Sequence, residues 1–353
     1  MAMDGFGNSP SMDEPKERVF ADPEAEGSST PPSSEPPGFT SSPQPPPFAH
    51  ELFFSQEQGL RPGWRFTLYV IMGIVVFFSL STIYELWSPQ GLGLLWLRLL
   101  GELQYLISGF VPALILARLE RRSFGEYGLP LRRAFGKLFW LGALWGFLAL
   151  SCLLLVMRAA GVVSFGGVAI HGIRALKFAG FYSAMFLAVA LFEEFSVRGY
   201  PLFTLTQGMG FWPAAVFMSV LFGAIHLGNA GESWIGVLGA ASIGFFFCLT
   251  LRRTGNLWFA VGFHAAWDWA ETYFYAVPDS GQMFPGHLLR TSFHGPTLLS
   301  GGTVGPEGSL LLFVVLAATW IAFDRLYPFA MYPGVVDQSQ IGNRQLPIQG
   351  YQE

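Results

Sequence analysis

Leu191-Phe192-Glu193-Glu194-Phe195-Ser196-Val197-Arg198 sets two adjacent glutamates inside a stretch that otherwise reads as a membrane helix. An ionisable group in hydrocarbon costs several kcal/mol, so such residues face a partner or a watery cavity and mark function. Glu194 and Arg198 are four apart, with the acid nearer the N-terminus, the favourable order for a helical ion pair. Glu194 is therefore expected to be neutralised locally. Glu193 points about 100° away on the helix and has no such local partner. It is left free to act as a general base or as a metal ligand.

Composition extends this reading to the whole chain. Of 353 residues, 52% are hydrophobic and 12% are charged. Soluble domains carry roughly 25% charged residues. The expected fold class is therefore all-α, a polytopic membrane protein with about eight transmembrane helices around a polar intramembrane cavity. A span needs about 20 mostly apolar residues. Candidates run over Trp64–Trp87, Leu94–Leu116, Leu138–Met157, Phe178–Phe203, Phe211–Leu227, Trp234–Leu251, Leu257–Tyr275 and Leu310–Leu326. Arg98, Glu102 and Pro112 interrupt the second. The formal charge of -4 is uninformative about partners, and no basic stripe suggests nucleic acid. Cys152 and Cys248 fall in predicted helices and read as packing residues, with no CxxC spacing for redox or zinc work.

The expected organisation is a disordered cytoplasmic tail over 1–60, N-terminal transmembrane helices over 61–160 and a catalytic core over 175–280. An external loop over 281–308, a last helix over 309–328 and a short cytoplasmic tail over 329–353 follow. Ser, Pro, Gly and Glu dominate the first fifty residues, which cannot bury enough apolar surface to fold. They show no charged region followed by an apolar one, so no cleavable signal peptide is expected. The tail reads as a passive extension or a protein-docking segment. Positive charge sets orientation. Arg61, Arg65, the cluster Arg118, Arg121, Arg122, Arg132, Arg133 and Lys137, and then Arg252, Arg253 and Arg325 share one side. The other side holds Arg98, Arg158, Arg174, Lys177 and Arg290. That bias predicts a multi-pass protein of the cytoplasmic (inner) membrane with both termini in the cytoplasm. His287 and His294 fall in the external loop and read as solvated residues rather than metal ligands.

Two further polar positions sit in later apolar segments. His226 lies deep in Phe222-Gly223-Ala224-Ile225-His226, and His264 and Asp268 are i,i+4 on one helix face. Asp268 either orients His264 or projects with it into a cavity shared with Glu193 and His226. Trp267 and Trp269 flank them as packing or interface residues. Carboxylates and histidines meeting in a bilayer suggest hydrolysis, by one of two routes. In the first, Glu193 with His226 activates a water and His264 with its neighbour stabilises the oxyanion. In the second, a divalent metal such as zinc, held by some of Glu193, His226, His264 and Asp268, lowers the pKa of its water. The chain has no H-E-x-x-H and no G-x-S-x-G. A proton-coupled transporter would also place such groups mid-membrane, but no repeat halves are visible.

Glu193-Glu194-x-x-x-Arg198, Phe222-x-x-x-His226 and His264-x-x-x-Asp268 together resemble the three signature motifs of the CPBP (Abi) intramembrane proteases, which include the type II CAAX prenyl endopeptidases and bacteriocin-immunity proteins. The flanking Arg253-Thr254-Gly255-Asn256-Leu257-Trp258 and Gly262-Phe263-His264-Ala265-Ala266-Trp267 match as well, and the resemblance covers roughly Tyr182–Tyr273. It implies an all-α membrane fold with a conical cavity open to cytosol and lipid, and endopeptidase action on membrane-associated polypeptides, with CAAX-type prenylated proteins among the candidate substrates. By position, Glu193 would be the base with His226 assisting, Glu194 and Arg198 would support, and His264 with residue 268 would form the oxyanion site. Residue 268 is often Asn in the eukaryotic prenyl proteases; here it is Asp268, whose ionised form accepts hydrogen bonds and donates none. The alternative is a non-proteolytic relative serving as a membrane scaffold or immunity factor. The lipid bilayer is the one partner common to every reading; oligomeric state is not legible.

Overall fold

A computed structural model describes residues 54–55, 59–87, 91–229 and 231–332; the two tails predicted from composition lie outside the described residues, apart from their inner edges. The chain is an all-α polytopic membrane protein. Helices α1 (Pro62–Trp87), α2 (Leu94–Leu119), α3 (Lys137–Ala159), α4 (Gly172–Arg198) and α5 (Tyr200–Met209) are followed by α6 (Phe211–His226), α7 (Trp234–Thr254) and α8 (Trp258–Trp269). A π-helical turn, Ala270–Tyr275, prolongs α8; α9 (Thr297–Ser300) and α10 (Leu310–Leu326) complete the set. Two strand pairs accompany them, β1 (Phe54–Ser55) with β2 (Gly59–Leu60), and β3 (Val163–Val168) with β4 (Leu289–Phe293).

Five segments are long and apolar enough to cross a membrane: α1, α2, α3, the run Gly172–Met209 and α7. The sequence reading expected eight. Helix α8 is only 12 residues, about 18 Å at 1.5 Å per residue, and α6 has 16 residues. Helix α8 can be short because neighbouring helices rather than lipid surround its first half, whereas α6 exposes Val216, Phe217, Val220 and Ile225 on one side. Trp258, Phe259, Ala260, Val261, Gly262 and Phe263 of α8 are all buried, the pattern of a helix packed on every side.

The expected single helix Phe178–Phe203 is two helices that meet at Gly199. Pro201 sits in the first turn of α5; it has no N–H to continue the α4 ladder and its ring restricts the residue before it. A side chain at Gly199 would also lie 2.5 Å from the Phe195 ring and carbonyl. The chain therefore turns immediately after Arg198. Between α7 and α8 the turn is made by Gly255, left-handed at φ 78°, and by Asn256, whose Oδ1 accepts the Trp258 N–H at 3.1 Å. That accounts for Arg253-Thr254-Gly255-Asn256-Leu257-Trp258 as a tight reversal from one helix into the next.

Helices α3 and α8 approach until their backbones touch. A Cβ added at Gly142 or Gly146 would lie 2.1 Å from the carbonyl oxygens of Phe259 and Phe263, and one added at Gly262 would lie 2.1 Å from that of Phe139. Small residues at spacing four are how membrane helices pack closely without a hydrophobic driving force between them. This seam sets the position of α8, and hence of His264.

All the arginine-rich turns lie at one end of the bundle. Leu257 N donates to Gly128 O, Trp258 Nε1 donates to Pro130 O, and Arg252 and Arg253 tie α7 to the end of α10 and the chain after it through Asp324, Pro328 O and Tyr332 O. Arg65, counted from sequence among the orienting charges, is buried there. It forks onto Glu120 at 2.9 and 2.6 Å, and Tyr127 and Tyr200 donate to the same carboxylate. The remaining arginines keep the asymmetry.

The segment expected as a plain external loop is folded. Strand β4 pairs antiparallel with β3, whose residues the sequence reading left in a connection. Leu289, Thr291 and Phe293 alternate inward with exposed Arg290 and Ser292. His294 is exposed and bonds Ser164 Oγ at 2.9 Å; His287 is half-buried against Thr272 O. Cys248 is buried beside Ser219, whereas Cys152 is exposed on α3, so only Cys248 packs in the core.

Gly262→Ala is expected to lower the thermal midpoint, because its methyl must displace backbone rather than a side chain, at a cost of about 1–3 kcal/mol or more. Gly161→Ala, where a Cβ has open space but φ is 76°, should cost only the backbone strain of about 1–2 kcal/mol. Differential scanning fluorimetry in detergent compares the two; equal midpoints for Gly262→Ala and wild type would remove the seam as a packing constraint.

Candidate active site

Three helices deliver the six predicted residues. Glu193, Glu194 and Arg198 come from the last turns of α4, His226 from the C-terminus of α6, and His264 and Asp268 from α8. Glu194 and Arg198 are fully buried. Glu194 Oε1 accepts from Arg198 Nη1 at 2.8 Å and from His264 Nδ1 at 2.9 Å. Arg198 also donates from Nε to Gly244 O at 3.2 Å, and its guanidinium lies over the Phe222 ring at 4.5 Å and the Phe247 ring at 5.5 Å. Gly244 is small of necessity, since a Cβ there would sit 2.6 Å from Arg198 Nη2. A buried guanidinium is held here by one carboxylate, one carbonyl and two aromatic faces.

His264 is the hub. Its Nδ1 faces Glu194, and its Nε2 faces Asp268 Oδ2 at 3.4 Å and Glu193 Oε2 at 3.7 Å. Phe247 stacks on the imidazole at 5.9 Å. A lone pair on Nε2 turned towards two ionised carboxylates would be repulsive. A proton therefore belongs between Nε2 and those two acids, on whichever of them it rests. Glu193, read from sequence as lacking a partner on its own helix, meets this one across the bundle.

His226 stands apart from that cluster. Its Nδ1 bonds the Phe222 carbonyl at 2.7 Å and its ring packs edge-on against Phe222 at 4.6 Å. It joins the others by lining one cavity of about 380 Å³, whose walls include Glu193, His226, His264 and Asp268. With Nδ1 engaged by a carbonyl, which accepts only, Nε2 carries the lone pair when the ring is neutral. Glu194 and Arg198 do not line the cavity; they hold His264 from behind.

Sequence reasoning missed several wall residues. Arg98 and Glu102, read as interruptions of α2, pair at 2.9 Å and line the cavity. Asp279, Ser280, Gln282, Phe284 and Glu307 reach it from the 276–308 segment. The carboxyl of Asp279 is pushed well above the usual carboxylate range by burial, and next by Asp268 and Glu307. A Gly-Pro-rich segment with two acids was the available signal. Of the four residues read as a candidate metal set, Asp268 alone belongs to a group whose ligand atoms converge, and its companions there are Glu271 and Asp279.

The cavity walls lie away from the arginine-rich end, since α2 contributes its N-terminal part, α6 its C-terminus and α8 its C-terminal half.

Residues 175–270 match the family model described as type II CAAX prenyl endopeptidase Rce1-like. The CPBP-protease resemblance carried by the motifs is borne out over that region. No curated protein and no solved structure matches the chain.

Arg198→Ala is expected to destabilise the fold by about 3–5 kcal/mol, because it leaves Glu194 as a buried charge without its partner. Glu194→Gln keeps the shape and should cost less than Arg198→Ala. Urea unfolding in micelles checks the order; a wild-type midpoint for Arg198→Ala would show that the pair does not support the fold.

Proposed function

We propose that the protein is an intramembrane endopeptidase that hydrolyses peptide bonds of membrane-associated polypeptides with a water activated by Glu193. The observation that carries this reading is the convergence of Glu193, His226, His264 and Asp268 on one cavity inside the region that matches a protease family. Glu193 is the member of the glutamate pair that faces the cavity, while Glu194 is occupied by Arg198 and His264. That division assigns Glu193 as general base and Glu194 as the residue that positions His264.

Attack by water on the scissile carbonyl makes an oxyanion. His264, with a proton at Nε2, is placed to donate to it, and Asp268 fixes the ring from the i+4 position. Glu193 takes the proton of the attacking water; His226 Nε2, free of the bond that Nδ1 makes, shares that task or passes the proton to the leaving amine. Low polarity around the cavity strengthens each of these interactions. The same groups could hold a divalent metal such as zinc, which would then supply the activated water; Asp268 as Asp rather than Asn favours that version.

The arginine asymmetry supports a cytoplasmic-membrane protein with both termini inside, which puts the cavity on the outer side. Kinship with CAAX proteases supports the opposite, because prenylated CAAX proteins reside in the cytosol. Leu131→Cys at the arginine-rich end and Met283→Cys at the other, both exposed, decide this by impermeant maleimide labelling of intact cells in a Cys152→Ser background. Labelling of Met283→Cys alone fits an outward cavity and substrates on the outer leaflet. Labelling of Leu131→Cys alone fits a cytosolic cavity and a CAAX-type substrate.

Glu193→Gln is expected to abolish peptide cleavage by the purified protein, a loss of at least about 10³-fold, with little change in thermal midpoint. Cleavage at the wild-type rate would remove Glu193 from the chemistry. If the site is metal-free, Asp268→Asn should keep or raise activity, since the amide can donate to the oxyanion. If a metal acts, Asp268→Asn should make activity depend on added metal, and a chelator should silence the wild type. No cleavage of any peptide library by folded wild type would favour the scaffold alternative.

A further inference from the structure

A second carboxylate group lies beyond His264, where α8 runs into the π-helical turn. Asp268 ends the catalytic face of α8, Glu271 is one turn further on, and Asp279 comes from the following loop. One carboxylate oxygen from each lies within 4.8 Å of the other two. Glu271 is completely buried and Asp268 is 4% exposed. Neither oxygen of Glu271 has a hydrogen-bond partner. The Trp267 indole N–H lies close to this carboxylate, yet it too is buried without a bond of normal geometry. Among the described residues, no lysine or arginine comes within 4.0 Å of Glu271, Asp279 or Glu307, and the one cationic group near Asp268 is His264. Glu271, fully buried with both oxygens unpartnered and facing two further carboxylates, calls for a positive charge between the three.

We infer that Asp268, Glu271 and Asp279 bind a divalent cation of the calcium class, which ties α8 to the 276–308 segment and positions Asp268 against His264. The donor set is all oxygen, which suits hard cations; zinc and copper favour nitrogen and sulfur. Oxygens around calcium sit about 2.3–2.6 Å from the ion and so up to about 5 Å from one another, a spread that includes the one observed. Thr272 Oγ1 and Ser280 Oγ border the group, directed at Asp279 and Glu307, and supply the neutral oxygens that calcium accepts alongside carboxylates. The inference concerns binding and does not depend on proteolysis.

The test uses the full chain in detergent, stripped with EGTA. Equilibrium dialysis with calcium-45 should find one ion per chain, and calcium chloride should raise the thermal midpoint by several degrees, as binding to the folded state alone requires. Magnesium chloride should act more weakly and zinc chloride least. Glu271→Gln, which keeps the shape and removes one charge, should weaken calcium binding at least tenfold and erase most of the thermal shift. In stripped protein the same variant should melt at or above wild type, because it removes an unneutralised buried acid. Asp279→Asn, on the half-buried loop residue, repeats the binding measurement should Glu271→Gln fail to fold. Wild type that binds no calcium, tighter binding of zinc than of calcium, or calcium binding unchanged in these variants would each overturn the site.

Discussion

One carboxylate oxygen, Glu194 Oε1, accepts from both Arg198 and His264. The polar residues on α4 and α8 at the candidate site are arranged around that junction. It lies where neither water nor lipid headgroups neutralise charge, so the acid, the guanidinium and the imidazole stabilise one another or none of them can stay buried. Arg198 has three kinds of partner, an acid, a carbonyl and two aromatic faces, drawn from α4, α6 and α7. The triad is therefore a tertiary lock between α4, α6, α7 and α8, as well as the support of the candidate base beside it.

The lock requires close backbones. His264 reaches Glu194 because α8 lies against α3 with glycines where side chains would otherwise stand. Gly142, Gly146 and Gly262 act at a distance from the chemistry, yet they set the helix that bears two of its residues. The turn at Gly199 and Pro201 does the same for α4, ending it directly after Arg198. The geometry of the candidate site thus rests on residues with almost no functional groups.

The cavity's position gives the family match a physical consequence. A protease whose substrates are cytosolic and one whose cavity faces outward cannot share both an orientation and an arginine pattern. In this chain the arginines crowd the end opposite the cavity, and the acids of the 276–308 segment crowd the cavity end. The excess of positive charge at one end and of carboxylates at the other polarises the bundle, although Arg98 lies in the cavity wall and Glu120 and Asp324 lie among the arginines.

Sequence by itself determined the class of fold and most of the inner residues of the site. Charge is so costly in hydrocarbon that Glu193, Glu194, Arg198, His226, His264 and Asp268 stand out from an apolar background without any structure. The i,i+4 pairs Glu194–Arg198 and His264–Asp268 were legible because helical geometry is local. Gly142-x-x-x-Gly146, Pro201 and the alternating Leu289–Phe293 were also present as signals, but each has meaning only against a partner surface. What only the tertiary structure decided was which glutamate faces the cavity, that His264 rather than His226 bridges the acids, that Arg65 is buried rather than free, and that Glu271 and Asp279 join Asp268. Those outcomes depend on contacts between residues up to 142 positions apart. Local rules of spacing and hydropathy carry no information about which faces of distant helices meet; packing of side-chain volume against backbone does.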